Sequence, residues 1–383
     1  MAWMIGVDEA GYGPNLGPLV VAASAWQVES TSLEPCKTPS PPATFGADSR
    51  SGPTAVATQF QADLSHLGAI DLYQRLAPVV VPHWDGGKNL AIADSKTLYA
   101  PAVGPERLEL GVHTVLHMMR TAPQTWSELV GILEADSDGR RAQLPWHQNY
   151  DCQLPISASE SRIFDLSKQL QERCHDSGAI PVKLQAQLVF PAEFNDLVQY
   201  YGSKGAALSH VTLSLVRQLV DFLKTSPGLS HTVDPGDPDA TSMFIVCDKH
   251  GARNRYLALL QHHFPEPWIQ ILTEGKNESR YHWGRSTAGG VSPHLEGEVA
   301  DGGPVEICFR TKGESFLPTA LASMTAKYLR ELSMRAVNEF WCPRVPNLKP
   351  TAGYPTDARK FKKAIDGKQR ELGIDNHILW RNR

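Results

Sequence analysis

The sequence predicts an α/β fold: a single large domain with loop and hairpin insertions and a small helical part at the C-terminal end. Three observations predict it. Ile5-Gly6-Val7 is apolar and runs straight into Asp8-Glu9, then into a turn at Gly11-Tyr12-Gly13-Pro14. Met243-Phe244-Ile245-Val246-Cys247-Asp248 is a continuous apolar run ending in an acid, the pattern of a buried central strand. Residues 318–340 carry the longest helical pattern, with Leu321, Met324, Tyr328, Leu329 and Leu332 on its apolar side. Its small residues Ala322, Ser323 and Ala326 let such a helix sit close to a sheet.

Taken in order, residues 17–26 read as a second strand, antiparallel to the first across a tight turn. Residues 30–65 are rich in Ser, Thr, Pro, Gly and Ala and read as a peripheral insertion. A polar turn at residues 91–98 precedes a helix over about 105–119. A further helix is expected near 160–174, a strand over 182–190, and helices over 191–224 broken near 202–205. Residues 226–242 form another polar loop. After the strand ending at Asp248, a helix at 255–263 and a strand at 268–272 complete a βαβ unit. Residues 282–308 read as a hairpin insertion. The domain call is 1–340 for the main body and 341–383 for a helical extension holding Gly353-Tyr354-Pro355-Thr356-Asp357 and a short basic helix.

Composition narrows the classes. With 383 residues, 42% apolar and 20% charged, the chain has the make-up of a globular protein. A net charge of −4 argues against a strongly basic nucleic-acid binder but leaves room for local patches. The six cysteines show no CxxC pairing, so a reduced, cytoplasmic compartment is expected and the thiols read as core or inert. No signal peptide and no membrane-length apolar run are evident. His250, His262 and His263 lack ligand spacing and read as surface histidines.

Chemistry concentrates in the acids. Asp8, Glu9, Asp248 and one of Glu278 or Glu314 fall at strand ends or junctions, where an α/β sheet gathers distant positions along one edge. Side chains alternate faces along a strand, so Asp8 and Glu9 share a site if the strand ends there. Carboxylates meeting without a cation raise one another's pKa. With Mg²⁺ or Mn²⁺ they form an oxygen-rich site suited to attack on a phosphodiester.

These residues resemble a known family. Asp8-Glu9-Ala10-Gly11 with Gly13-Pro14, then Asp94-Ser95-Lys96-Thr97-Leu98, are similar to the first two motifs of the type 2 ribonucleases H (ribonuclease HII). Asp248 with Gly251, Tyr256 and Phe264-Pro265 resembles the third-aspartate segment. Ala322-Ser323-Met324-Thr325-Ala326-Lys327 resembles the Ala-Ser-Ile-x-Ala-Lys helix, and Gly353-Tyr354-Pro355-Thr356-Asp357 the Gly-Tyr-Pro segment of the archaeal and eukaryotic branch. The order is that of the family over nearly the whole chain.

The resemblance implies an RNase H-like fold, a central mixed sheet flanked by helices. It implies a Mg²⁺- or Mn²⁺-dependent endonuclease acting on RNA–DNA hybrids or on duplex DNA containing a ribonucleotide. Asp8, Glu9 and Asp248 would be metal ligands, with Glu278 or Glu314 the further catalytic carboxylate. Gly11, Tyr12, Gly13, Ser95, Lys96 and Tyr354 would meet the substrate, Tyr354 at the minor groove, where the 2′-hydroxyl marks RNA.

Two departures stand out. Tyr12 replaces the arginine usual between the two glycines. The fourth carboxylate is a glutamate in either of two similar stretches, Lys276-Asn277-Glu278-Ser279 and Lys312-Gly313-Glu314-Ser315, flanking the 282–308 insertion. Spacing after Asp248 favours Glu278. Asp94 and Lys96 have a plain alternative as a helix cap. Arg359, Lys360, Lys362 and Lys363, and likewise Lys327 and Arg330, read as solvated helix faces or as phosphate contacts. Competing functions are a weakened RNase H-like nucleic-acid-binding protein and an actin-like ATPase or sugar kinase; the latter lacks a second phosphate loop.

Overall fold

A computed structural model of the chain describes residues 2–29, 67–134, 137–226, 242–284 and 303–382. The expected insertion at 30–65 lies outside the described residues, as does most of those at 226–242 and 282–308. A seven-stranded sheet runs in the order β5-β2-β1-β6-β9-β8-β7. The chain order is β1 (Ala2–Ala10), β2 (Leu19–Val28), the two-residue pair β3 (Val80–Val81) and β4 (Leu90–Ala91), then α1 (Glu106–Met118) and α2 (Glu160–Ser177). Next come β5 (Ala179–Val189), α3 (Pro191–Tyr201), α4 (Lys204–Thr225), β6 (Ser242–Asp248) and α5 (Leu257–His263). The last are β7 (Gln270–Glu274), β8 (Glu278–Trp283), β9 (Val305–Arg310), α6 (Leu317–Trp341) and α7 (Pro355–Glu371). The sheet is mixed: β1 pairs antiparallel with β2 and parallel with β6, and β6 pairs parallel with β9. Helices cover both faces, so the expected α/β class holds.

Alternation along the central strands sends residues to two cores. Ala2 and Met4 of β1, with Phe244 and Val246 of β6, join the core that holds α1 and α6. Trp3, Ile5 and Val7, with Met243, Ile245 and Cys247, join the core beneath α4 and α5. This is why both strands read as unbroken apolar runs. Gly6 is where α6 comes closest: a Cβ there would lie 2.0 Å from the Thr319 backbone nitrogen. The Ser24 hydroxyl donates to the Pro318 carbonyl at 2.7 Å, and the Thr319 hydroxyl to that of Val246 at 3.2 Å, fixing the start of α6 on the sheet.

Two expectations are corrected. The strand after α5 does not complete a parallel unit with β6; β7 pairs antiparallel with β8 at the edge of the sheet. On its side away from β1, the parallel neighbour of β6 is β9, most of which falls in the stretch expected to be an insertion. Residues 282–308 do span a hairpin, since β8 and β9 pair antiparallel from Trp283↔Val305 to Glu278↔Arg310. Its strands, though, belong to the main sheet, and Val305, Ile307 and Phe309 are buried in the second core. The break at 202–205 is as expected, with Ser203 capping α4 by accepting from the Ala206 amide at 3.1 Å.

Beyond residue 341, Ala358, Phe361 and Ile365 of α7 pack into the first core. The chain then returns to the turn after β1, where Arg381 N donates to the Asn15 carbonyl at 2.8 Å, and Asn382 N donates to Asn195 Oδ1 of α3 at 2.7 Å. Among the described residues, no helix is long and apolar enough to cross a membrane.

Candidate active site

β1 stays paired with β2 as far as Ala10↔Val20, but its pairing with β6 stops at Val7↔Cys247. The strand therefore does not end at the acids, contrary to the condition set by the sequence. Its parallel neighbour ends instead. On that open edge Asp8 and Glu9 both turn toward the end of β6, and one carboxylate oxygen from each of Asp8, Glu9 and Asp248 lies within 4.8 Å of the others. Asp8 is buried and the other two half-buried. Asp8 Oδ1 also accepts the Glu9 amide at 2.8 Å, which turns the carboxylate back along the strand.

Electrostatics reflect the crowding. Burial, reinforced by Glu9 and opposed by a hydrogen bond with Ser323, raises the Asp8 carboxyl well above the usual range. Burial and then Asp248 push Glu9 to about 7, against the pull of Lys96. Burial and then Glu314 raise Asp248. An all-oxygen, carboxylate-rich donor set held this close fits Mg²⁺ or Mn²⁺, whose charge removes the repulsion.

Glu314, and not the favoured Glu278, is the fourth acid at this cluster. It sits in the 3-10 turn Gly313–Ser315 between β9 and α6, and the Gly313 amide reaches Asp248 Oδ1 at 3.4 Å. Glu278 begins β8, opposite Arg310, with its carboxylate 3.8 Å from Arg280. The two similar stretches thus flank one hairpin, as expected, but only the second bends back over the end of β6.

The substrate-side residues divide. Asp94 caps the short helix Ser95–Leu98 by accepting the Lys96 amide at 2.9 Å, so its capping role is real. Lys96 extends into solvent and its ammonium lies 3.6 Å from Glu314. Against burial, Asp94, Glu314, Asp8 and Asp248 together raise its pKa. Ser95 is buried, and its hydroxyl accepts from Ser323 at 3.0 Å. It therefore orients Ser323 beneath Asp8.

Gly11 adopts φ +88°, and a Cβ there would meet Arg330 Nε and the Pro18 carbonyl, each at 2.6 Å. Gly13 is exposed with open space around its α-carbon. Tyr12 is half-buried against the second core, its phenol held up by burial and by Glu9. Tyr354 is half exposed, with the Arg330 guanidinium 5.7 Å from its ring centre. Its neighbour Gly353 accepts the Asn15 amide at 2.9 Å, which docks the segment on the turn after β1.

Sequence reasoning missed the buried supports. Arg330 is no surface cation; it is buried and donates to the Ala352 carbonyl at 2.8 Å. Lys327 is spent on Glu331 at 2.6 Å. His250 is buried, with Nδ1 2.9 Å from the Ser209 hydroxyl, so it is no surface histidine. Lys249 is also buried and donates to Asn254 Oδ1 at 2.7 Å, tying down the loop after Asp248. The signal for these lay in their neighbourhood of Asp248 and of the small-residue helix, not in their own type.

No family model matches the chain, and no curated protein matches it. Solved structures with a related arrangement include the PCNA–RNase HII complex from Archaeoglobus fulgidus, at 12% identity and a TM-score of 0.37, covering 99% of this chain and 94% of that one. The ribonuclease H2 from Pyrococcus horikoshii OT3 gives 12% and 0.35, covering 98% and 92%. Bst-RNase HIII in complex with Mn²⁺ gives 13% and 0.34, covering 99% and 66%. Likenesses this distant carry no argument about activity, which has to be made from the site itself.

Proposed function

We propose that the protein is a metal-dependent endonuclease that hydrolyses the RNA strand of RNA–DNA hybrids or cuts at ribonucleotides embedded in duplex DNA. The observation that carries this reading is the meeting of Asp8, Glu9 and Asp248 within 4.8 Å at the open edge between β1 and β6. The motif resemblance names the substrate class. In this reading Asp8, Glu9 and Asp248 hold the divalent cations, with Glu314 closing the set. Bound there, Mg²⁺ or Mn²⁺ supplies an activated water and neutralises the leaving oxygen.

The chain's own residues do the rest. Ser323, whose hydroxyl donates to Ser95, is hydrogen-bonded to Asp8 and helps fix which way its carboxyl points. Lys96 stands beside Glu314 at the solvent side, where it meets a phosphate. The open α-carbon at Gly13 lets a sugar–phosphate approach the backbone. Tyr354, exposed on a docked segment, offers its ring and hydroxyl to the minor groove. The helix face of Arg359, Lys360 and Lys363 is solvated and meets flanking phosphates.

The test is cleavage of a labelled DNA duplex containing one ribonucleotide, and of a long hybrid, with Mg²⁺ or Mn²⁺. Cutting beside the ribonucleotide that disappears in Asp8→Asn and Asp248→Asn supports the reading. Duplex binding without cutting under either metal replaces it with the binding-protein reading, for which Tyr12 in place of an arginine is the motive. Neither binding nor cutting sinks both.

A further inference from the structure

We propose that His210, His262 and His263 form a site for a transition-metal ion, Zn²⁺ by its fit, that ties α4 to α5. The inference does not depend on the carboxylate site or on the nuclease reading.

Geometry carries it. One ring nitrogen from each histidine lies within 4.8 Å of the others, and His210 Nδ1 is 3.0 Å from His263 Nε2. The ring centres of His210 and His262 are 5.1 Å apart, those of His210 and His263 5.2 Å, and those of His262 and His263 5.0 Å. A tetrahedral ion holding imidazole nitrogens at about 2.0–2.1 Å sets them roughly 3.3 Å apart and the ring centres about 5 Å apart. The three ring centres already stand at that spacing, and the His210–His263 nitrogen pair is close to it.

Supports outside the triad hold the His210 ring and the His263 backbone. Tyr201 stacks on His210 with centres 3.7 Å apart and planes at 9°. Arg217 Nη1 donates to the His263 carbonyl at 3.1 Å, while Asp221 and Glu266 balance the Arg217 charge. His210 Nδ1 and His263 Nε2 share one proton across their 3.0 Å contact, and an entering ion takes its place. An all-imidazole donor set selects Zn²⁺, Ni²⁺ or Cu²⁺ over the hard cations suited to carboxylates. His262 is exposed, which leaves the fourth position to water.

The consequence reaches the acid cluster indirectly. Ser209, next to His210, hydrogen-bonds His250, and His250 follows closely on Asp248. An ion joining α4 to α5 therefore braces the loop that leaves β6.

The experiment uses the full chain, stripped with chelator, in wild-type form and as the Asp8→Asn/Asp248→Asn double variant. Zn²⁺ is titrated calorimetrically and Co²⁺ by its visible spectrum. The expected result is one equivalent of Zn²⁺ bound in both backgrounds, with a tetrahedral Co²⁺ band. His210→Gln and His263→Gln should each weaken binding about tenfold or more and abolish the band. His262→Gln, a change at an exposed side chain, carries the test if either of the others fails to fold. Zn²⁺ binding unchanged in all three histidine variants, or lost in the aspartate background alone, overturns the proposal. Loss of cleavage without loss of this binding would count against the nuclease reading only.

Discussion

Arg381 Nε donates to the carbonyl oxygen of Pro14 at 3.0 Å, joining the last turn of the chain to the loop that follows the first strand. The same guanidinium bonds the Gly11 carbonyl and lies 4.5 Å over the ring of Phe194. Asn15 Nδ2 returns a bond to the Arg381 carbonyl at 2.9 Å. Arg381 is fully buried, so the loop presenting Gly11, Tyr12 and Gly13 is held from below by a residue at the opposite end of the sequence.

Replacing Arg381 with Met keeps apolar bulk but leaves the Gly11 and Pro14 carbonyls without their donor. The expected loss is about 2–4 kcal/mol of folding stability, read by urea unfolding. Cleavage should fall further than the unfolded fraction explains, because the loop loses its shape.

Glu314→Gln and Glu278→Gln should separate sharply. Glu314 stands with Asp248 and Glu9, so its variant is expected to lose on the order of a hundredfold in rate with Mg²⁺, as removal of a metal-site carboxylate does. Glu278→Gln is expected to stay within a few-fold. A large loss in Glu278→Gln with none in Glu314→Gln would refute the assignment of the fourth acid.

Metal-free stability should depend on pH with two opposing limbs. His113 and His147 are buried and held down to about 4 and about 3, below their ordinary 6.5. A depressed histidine stabilises the fold above pH 6.5, and that contribution fades as pH falls toward the folded value. Glu9 is raised from 4.5 to about 7, and Asp8 and Asp248 are raised with it. Raised carboxyls stabilise the fold below their unfolded pKa, and the contribution is lost as pH climbs through about 7. Melting of chelator-treated protein should therefore show a plateau between, with falls on both sides. Saturating Mn²⁺ should remove only the alkaline fall, and Asp8→Asn/Asp248→Asn should make that metal effect vanish.

Gly6→Ala should be among the most damaging single changes. The new methyl group meets backbone atoms of Pro318 and Thr319 at 2.1 and 2.0 Å, and a backbone contact does not yield as a side chain does. A loss of about 3 kcal/mol or more is expected, measured by thermal unfolding of the soluble variant; wild-type stability would mean α6 does not sit on β1 this closely.

Tyr354→Ala should leave melting within about 1 kcal/mol of wild type, since the ring is half exposed. The KM for a duplex with a single ribonucleotide should rise about tenfold, the order expected of a lost base or sugar contact. An unchanged KM would confine Tyr354 to packing over Arg330.

Much of the scaffold was legible because its signals are local. The apolar runs of β1 and β6 announce strands buried on both faces, and the Gly202-Ser203 break between α3 and α4 is visible as a terminator followed by a cap. β9 was harder. Its short apolar run sits beside a polar, glycine-rich stretch, and nothing local says that its neighbour is β6 and not a surface hairpin. The same lack of locality hid Arg330 and Arg381, whose guanidinium groups look like surface cations until the packing around them is known.

By itself the sequence determined which elements would carry the acids, Asp8 and Glu9 on the first strand and Asp248 at the end of β6, because strand patterns and apolar alternation are written residue by residue. The tertiary structure decided which acids meet. Glu9 joins Asp8 because β6 stops pairing at Val7 while β2 does not, a fact about three strands at once. Glu314 joins them because the turn after β9 bends over β6, while Glu278, in a nearly identical local sequence, starts β8 opposite Arg310. Side-chain direction at a sheet edge is set by which neighbour is missing, and that information lies in chain segments hundreds of residues away.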